Sequence, residues 1–171
     1  MTSGSWFLTA AIRAAGTLTP TDQPTGSSIT LTDSADQSLT YGTSSGNADI
    51  IVWRTKPLTA GATATYDLYT GTDLKDLFDA TAAFRKIKSV AIWVDSGGDT
   101  SGVTIGNAAS NANALFFGAQ AHTATIYPSG PAFLGGSPAG VTVDATHKNL
   151  KVLNNGAVSV VVGIAIAGTS V

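Results

Sequence analysis

The sequence predicts an all-β protein folded as one β-sandwich domain, and three observations carry that expectation. From Pro24 onward, short apolar runs alternate with clusters of Gly, Ser, Asn and Asp, the pattern of brief strands joined by tight turns. The runs are rich in Val, Ile and Thr, whose branched side chains lose rotamer freedom against a helical turn and pack well on a pleated surface. The last run, "AVSVVVGIAIA" from Ala157 to Ala167, carries one polar side chain, Ser159, and is closed by Asn154, Asn155 and Gly156 before it and by Gly168, Thr169 and Ser170 after it. A membrane-spanning helix needs roughly 20 apolar residues, so this run reads instead as a strand covered on both faces.

The elements follow in chain order. "WFLTAAIRAAG" suits an arm or a strand, and "TLTPTDQPTGSS", with Pro20, Pro24 and Gly26, reads as an extended linker because X-Pro pairs disfavour helix. Residues 1–26 are therefore expected to form an N-terminal arm and linker, and residues 27–171 the sandwich. "SITLTDS" alternates Ile29 and Leu31 with threonines, "ADIIVWRT" holds an apolar block from Ile50 to Trp53, and "TATYDLYTG" places Tyr66 and Leu68 on one face. In "TDLKDLFDATAAF", Thr72 or Asp73 could cap a short helical turn near residues 73–79, with Leu74, Leu77 and Phe78 at helical spacing. "FRKIKSVAIWVD" passes from alternation to a continuous apolar block, "DSGGDTSG" reads as a hairpin turn, and "GVTIG", "ALFFG", "TATIYPSG", "AGVTVD" and "NLKVLNN" supply further strands. With the C-terminal run the total is about ten strands, in a jelly-roll-like sandwich that places residues 158–167 in the middle of a sheet. A Val161→Asp change is then expected to unfold the protein, since it buries an unpaired carboxylate.

Composition narrows the function classes. The chain has 171 residues, enough for a single core, with 12% charged residues and a net charge of −2. Nucleic-acid binders carry a clustered basic face, and the longest basic cluster here is "RKIK", so no nucleic-acid partner is expected. Neither is a membrane. Without cysteine, no disulfide or thiolate metal site can hold the fold. The N-terminal stretch lacks a basic region ahead of its apolar residues and is interrupted by Arg13, so no signal peptide is expected. No repeat of 20 to 50 residues is visible.

Several motifs invite catalytic or metal readings that their context does not sustain. "GTSSG", from Gly42 to Gly46, matches the G-x-S-x-G nucleophile elbow, yet it leads into a strand rather than a helix, so Ser44 reads as a loop residue. "DSGGD", from Asp95 to Asp99, resembles an oxyanion-hole segment of trypsin-like proteases, but Val94 stands where a glycine is required and neither His122 nor His147 precedes the serine. Asp95 with Asp99, and Asp33 with Asp36, are turn-forming aspartates rather than a calcium loop. No catalytic residue, cofactor or metal is expected. Trp53 and Trp93 lie in apolar strand blocks and read as buried in the core or a subunit interface rather than as a sugar-stacking platform, leaving Trp6 as the freer indole.

The order of the segments is more informative than any one motif. "SLTYGTSSGNADIIVWRTKPLTAGATATYDL", then "FRKIKSVAIWVDSGGDTSGVTIGNAASNANALFFG", then the stretch from "TIYPSGPAF" to "IAIAGTS" together resemble a family of small β-rich virion structural proteins of tailed bacteriophages. The resemblance spans residues 38–170 and rests on Asp49 to Ile51, Phe84 to Val90, "TIGNAASNA" and "IAIAGTS". It departs where the family's arginine is Tyr127 and where a polar closing strand becomes wholly apolar. It implies a non-enzymatic virion component, assembled in the host bacterial cytoplasm, whose closest fit is a capsid decoration or cement protein. Its implied partners are further copies of itself, as a trimer, and the major capsid protein or other virion proteins. A head-tail or fibre-base component, a carbohydrate-binding adhesin domain and a small hydrolase using Ser44 are the alternatives. The low charge points the same way, because a monomer's surface usually holds about 25 to 35% charged residues and this chain holds 12% overall. Trp6, Phe7, Leu8 and Ile12 in the arm are the expected interface residues, since large apolar groups outside a core mark contact surfaces.

Overall fold

The computed structural model describes residues 12–18, 29–35, 39–76, 79–115, 117–130 and 133–171. Those residues contain twelve strands and no helix. β1 (Ile12–Leu18) pairs antiparallel with β2 (Ile29–Ala35), and the two-residue strands β3 (Thr40–Tyr41) and β4 (Asn47–Ala48) run parallel. The remaining eight strands build two antiparallel sheets. One is ordered β10-β7-β12-β5, from β5 (Ile50–Leu58), β7 (Lys86–Gly97), β10 (Phe133–Thr142) and β12 (Val160–Thr169). The other is ordered β6-β11-β8-β9, from β6 (Thr63–Asp67), β8 (Val103–Gly106), β9 (Thr123–Ile126) and β11 (Asn149–Asn154).

Among these eight, pairing is nested: the first strand pairs with the last, the second with the seventh, the third with the sixth and the fourth with the fifth. Val52, Ile92, Ile164 and Ile166 from one sheet and Ile105, Ile126, Leu150 and Val152 from the other form a single buried cluster, the shared core of a sandwich. Asn154 ties the sheets at one end, its side-chain amide reaching the carbonyls of Leu58, Thr59 and Val158.

β12 lies between β5 and β7, as its continuous apolar character predicts. Its Val160, Val162, Ile164 and Ile166 point into the core, so by the period of two Val161, Gly163, Ala165 and Ala167 take the other face. Ala167 is buried there in a second small cluster with Leu39 and Ala48, against which Ile51 packs. Val161 is the one half-buried position of the strand, which corrects the expectation that Val161→Asp would place a carboxylate in the core.

Three further expectations change. The stretch expected to be a helical turn near 73–79 is, in its described residues, a loop closed by an antiparallel bridge between Lys75 and Thr81. Asp76 explains the difference: its N–H donates to the Ala80 carbonyl while its carboxylate accepts from the Ala80 N–H, competing with helical bonding. Leu77 and Phe78 lie outside the described residues. The described residues of "ALFFG" form no strand, because Asn113 folds back to accept from the Leu115 N–H and Leu115 adopts φ +45°. The "DSGGD" turn joins β7 to β8 across the two sheets rather than closing a hairpin. The linker prolines Pro20 and Pro24 also lie outside the described residues.

Candidate functional site

The outward face of the β7-β12-β5 surface carries the most exposed large aromatic group of the described core strands. Trp53 stands opposite Ala165 on β12, and Trp93 opposite Gly163. Their ring centroids are 5.1 Å apart with planes inclined at 53°, a tilted aromatic contact. Trp93 lies flat on the strand backbone, since a Cβ at Gly163 would sit 2.1 Å from its Cε2. Its indole N–H faces the Asp95 carboxylate at 3.5 Å. Trp93 is half-buried by this seat, whereas Trp53 on the edge strand remains 55% exposed. Of the two places expected for these indoles, core or subunit interface, the core is excluded for Trp53: the run "IIVW" is apolar throughout because Val52 enters the core while Ile51 and Trp53 face the other way.

A second feature lies at the open edge of the sandwich, between the edge strands β5 and β6. A cleft of about 320 Å³ is lined there by Arg54, Lys56, Thr63, Thr65, Tyr66 and Asp73, among others. Arg54 and Lys56 share the face of β5 that carries Val52 and Leu58 into the core, which turns two cations toward the gap between the sheets. Such inward charges, with Pro57 beside them, also discourage another strand from pairing with this edge. Arg54 meets Asp79 at 3.4 Å, an exposed pair worth little. Burial, reinforced by the nearby Asp73 carboxylate, pushes the Tyr66 phenol up to about 12, so it stays protonated.

The other sequence candidates resolve into structural roles. Ser44 is exposed in the loop between β3 and β4, its carbonyl accepting from the Asn47 N–H. His122 uses Nδ1 to donate to the Phe117 carbonyl, and His147 pairs with Asp144, so both imidazoles are engaged away from Ser44. Asp99 accepts from the Ser101 and Ala157 N–H groups, which hold its carboxyl below the usual range. Among the described residues no group of three or more His, Cys, Asp or Glu could hold a metal ion. Trp6, Phe7 and Leu8 lie outside the described residues, and Ile12 opens β1 opposite Ala35.

The segments that carry the phage resemblance are structural. Asp49 receives the Ser170 N–H at 2.9 Å and the Ser170 hydroxyl, which joins the start of β5 to the end of β12. In "TIGNAASNA", Asn107 and Asn111 take left-handed backbone conformations, and the buried Asn113 that follows it donates to the Thr142 and His147 carbonyls. Sequence reasoning missed Arg54, Lys56, Tyr66 and Asp73 as a group. The available signal was two cations at alternate positions of an otherwise core-facing register, "VWRTKPL". No protein-family model matches the chain, and no curated protein matches it either.

Proposed function

We propose that the chain is a non-enzymatic structural protein of a tailed-phage virion, a capsid decoration or cement protein that associates with copies of itself and with the head. The nested pairing of eight strands is the observation that carries this reading. We read it as a jelly roll, an architecture of viral capsid and lectin domains, and it agrees with the resemblance over residues 38–170. The exposed Trp53, braced by Trp93, is the described residue best placed to anchor a contact, because interface energy concentrates in aromatic anchors. Trp6, Phe7, Leu8 and Ile12 of the arm remain the proposed second contact, and a trimer the proposed assembly. The test is to detect the chain in purified virions by mass spectrometry and to measure rebinding of the pure protein to particles stripped of it. Trp53→Ala should weaken rebinding at unchanged fold, while virions that lack the chain would overturn the proposal. A glycan-binding module is the second reading, favoured by the same exposed indole pair. Glycan-array binding lost on Trp53→Ala, with no binding to particles, would favour it.

A further inference from the structure

We propose that the cleft between β5 and β6 binds a carboxylated sugar residue, a site independent of the tryptophan face. Tyr66 is the starting observation. It is only 7% exposed and lines the cleft, and its hydroxyl makes no hydrogen bond to any described residue. Every fully buried side-chain nitrogen and oxygen among the described residues has a partner, so the Tyr66 hydroxyl is the part of that side chain left open, toward the cleft. A hydroxyl open to the cleft on an otherwise buried side chain is a fixed donor and acceptor that a ligand can take in exchange for water.

The surrounding groups define the ligand. Arg54 and Lys56 supply two cations on one wall, which suits a carboxylate. The exposed Asp79 contact with Arg54 is weak enough to be displaced. Asp73 on the lining accepts hydrogen bonds, so a ligand with its own hydroxyls is matched better than a bare anion. The half-buried Ala64 gives a small apolar patch for the C–H face of a sugar ring. The volume of about 320 Å³ lies at the small end of ligand pockets, which span roughly 300 to 1,000 Å³, a size for one ring rather than an inorganic ion.

The experiment is isothermal titration calorimetry of the full chain with glucuronate, glucose, acetate and phosphate. Glucuronate should bind, with glucose and acetate each at least about tenfold weaker, the loss of one set of polar contacts. Tyr66→Phe should weaken glucuronate binding about tenfold while leaving thermal unfolding unchanged, because the hydroxyl has no partner among the described residues. Lys56→Gln, at an exposed position, should do the same without risk to folding. Absence of glucuronate binding, equal binding of glucose, acetate or phosphate, or wild-type affinity in both variants would overturn the proposal.

Discussion

β11 and β12 are both interior strands of antiparallel sheets that share one core, yet their side chains follow different rules. β11 alternates strictly, with Leu150, Val152 and Asn154 buried and Asn149, Lys151 and Leu153 half-buried. β12 is buried at every position but Val161. The difference lies in what meets the second face. Beyond β11 that face is mostly polar: Thr63, Thr104 and Thr125 stand in one row across the sheet with Leu153 the single apolar member, Thr65 lies beside Lys151, and the Thr104 and Thr125 hydroxyls are 3.3 Å apart. Threonines thus give this face its affinity for water in a chain with few charges. Beyond β12, Trp93 covers Gly163, and Leu39, Ala48 and Ile51 cover Ala167. Alternation reports one wet face, and its loss reports two dry ones.

The sharpest way to break the comparison is to place the same charge on each strand. Ile166→Asp puts a carboxylate into a fully buried position and should unfold the domain, at a cost of several kcal/mol. Lys151→Asp on the half-buried side of β11 should shift stability by about 0.5 kcal/mol or less. Urea denaturation of the two variants measures the contrast, and similar midpoints would mean that β12 is not covered as described. A smaller effect tests the cover itself. Gly163→Val drives a side chain into the Trp93 indole and should cost about 1 to 3 kcal/mol through overpacking, with a change in tryptophan fluorescence as the Trp53 contact is lost. Adding Trp93→Ala should recover part of that loss, the coupling expected of two groups in contact.

The smallest effect belongs to a surface turn beyond both strands. The Thr146 hydroxyl, then His147 and the backbone N–H groups of both residues, hold the Asp144 carboxyl at about 2 against an ordinary 3.8. The folded state therefore binds fewer protons than the unfolded state between those values. The turn's contribution is fully present above pH 3.8 and fades as pH falls toward 2. Asp144→Asn should flatten the acid-side loss of stability in that window and leave its shape elsewhere unchanged, as followed by denaturation at stepped pH. A slope identical to the wild type would remove Asp144 from the account.

Much of the frame was legible in the residues. β branching and turn clusters located β5 through β9, β11 and β12, and the length and apolar run of β12 placed it inside a sheet. The helical reading of 73–79 failed because Asp76 bonds locally to Ala80, a competition that apolar spacing does not register. "ALFFG" failed for a similar reason, with Asn113 capturing the Leu115 N–H. The candidate cleft was not legible at all, because Tyr66 on β6 and Arg54 on β5 belong to different sheets and meet only when the sandwich closes.

The sequence by itself determined most of the sandwich strands, the apolar face of each, and that no thiol chemistry supports them, because period, branching and composition are local properties of the chain. Only the tertiary structure decided the nested pairing of β5 with β12 and β6 with β11, the seat of Trp93 on Gly163, the exposure of Trp53, and the opening of Tyr66 toward two cations. A strand's pattern states that a face must be covered. What covers it depends on residues about a hundred positions away, brought there by closure of the core.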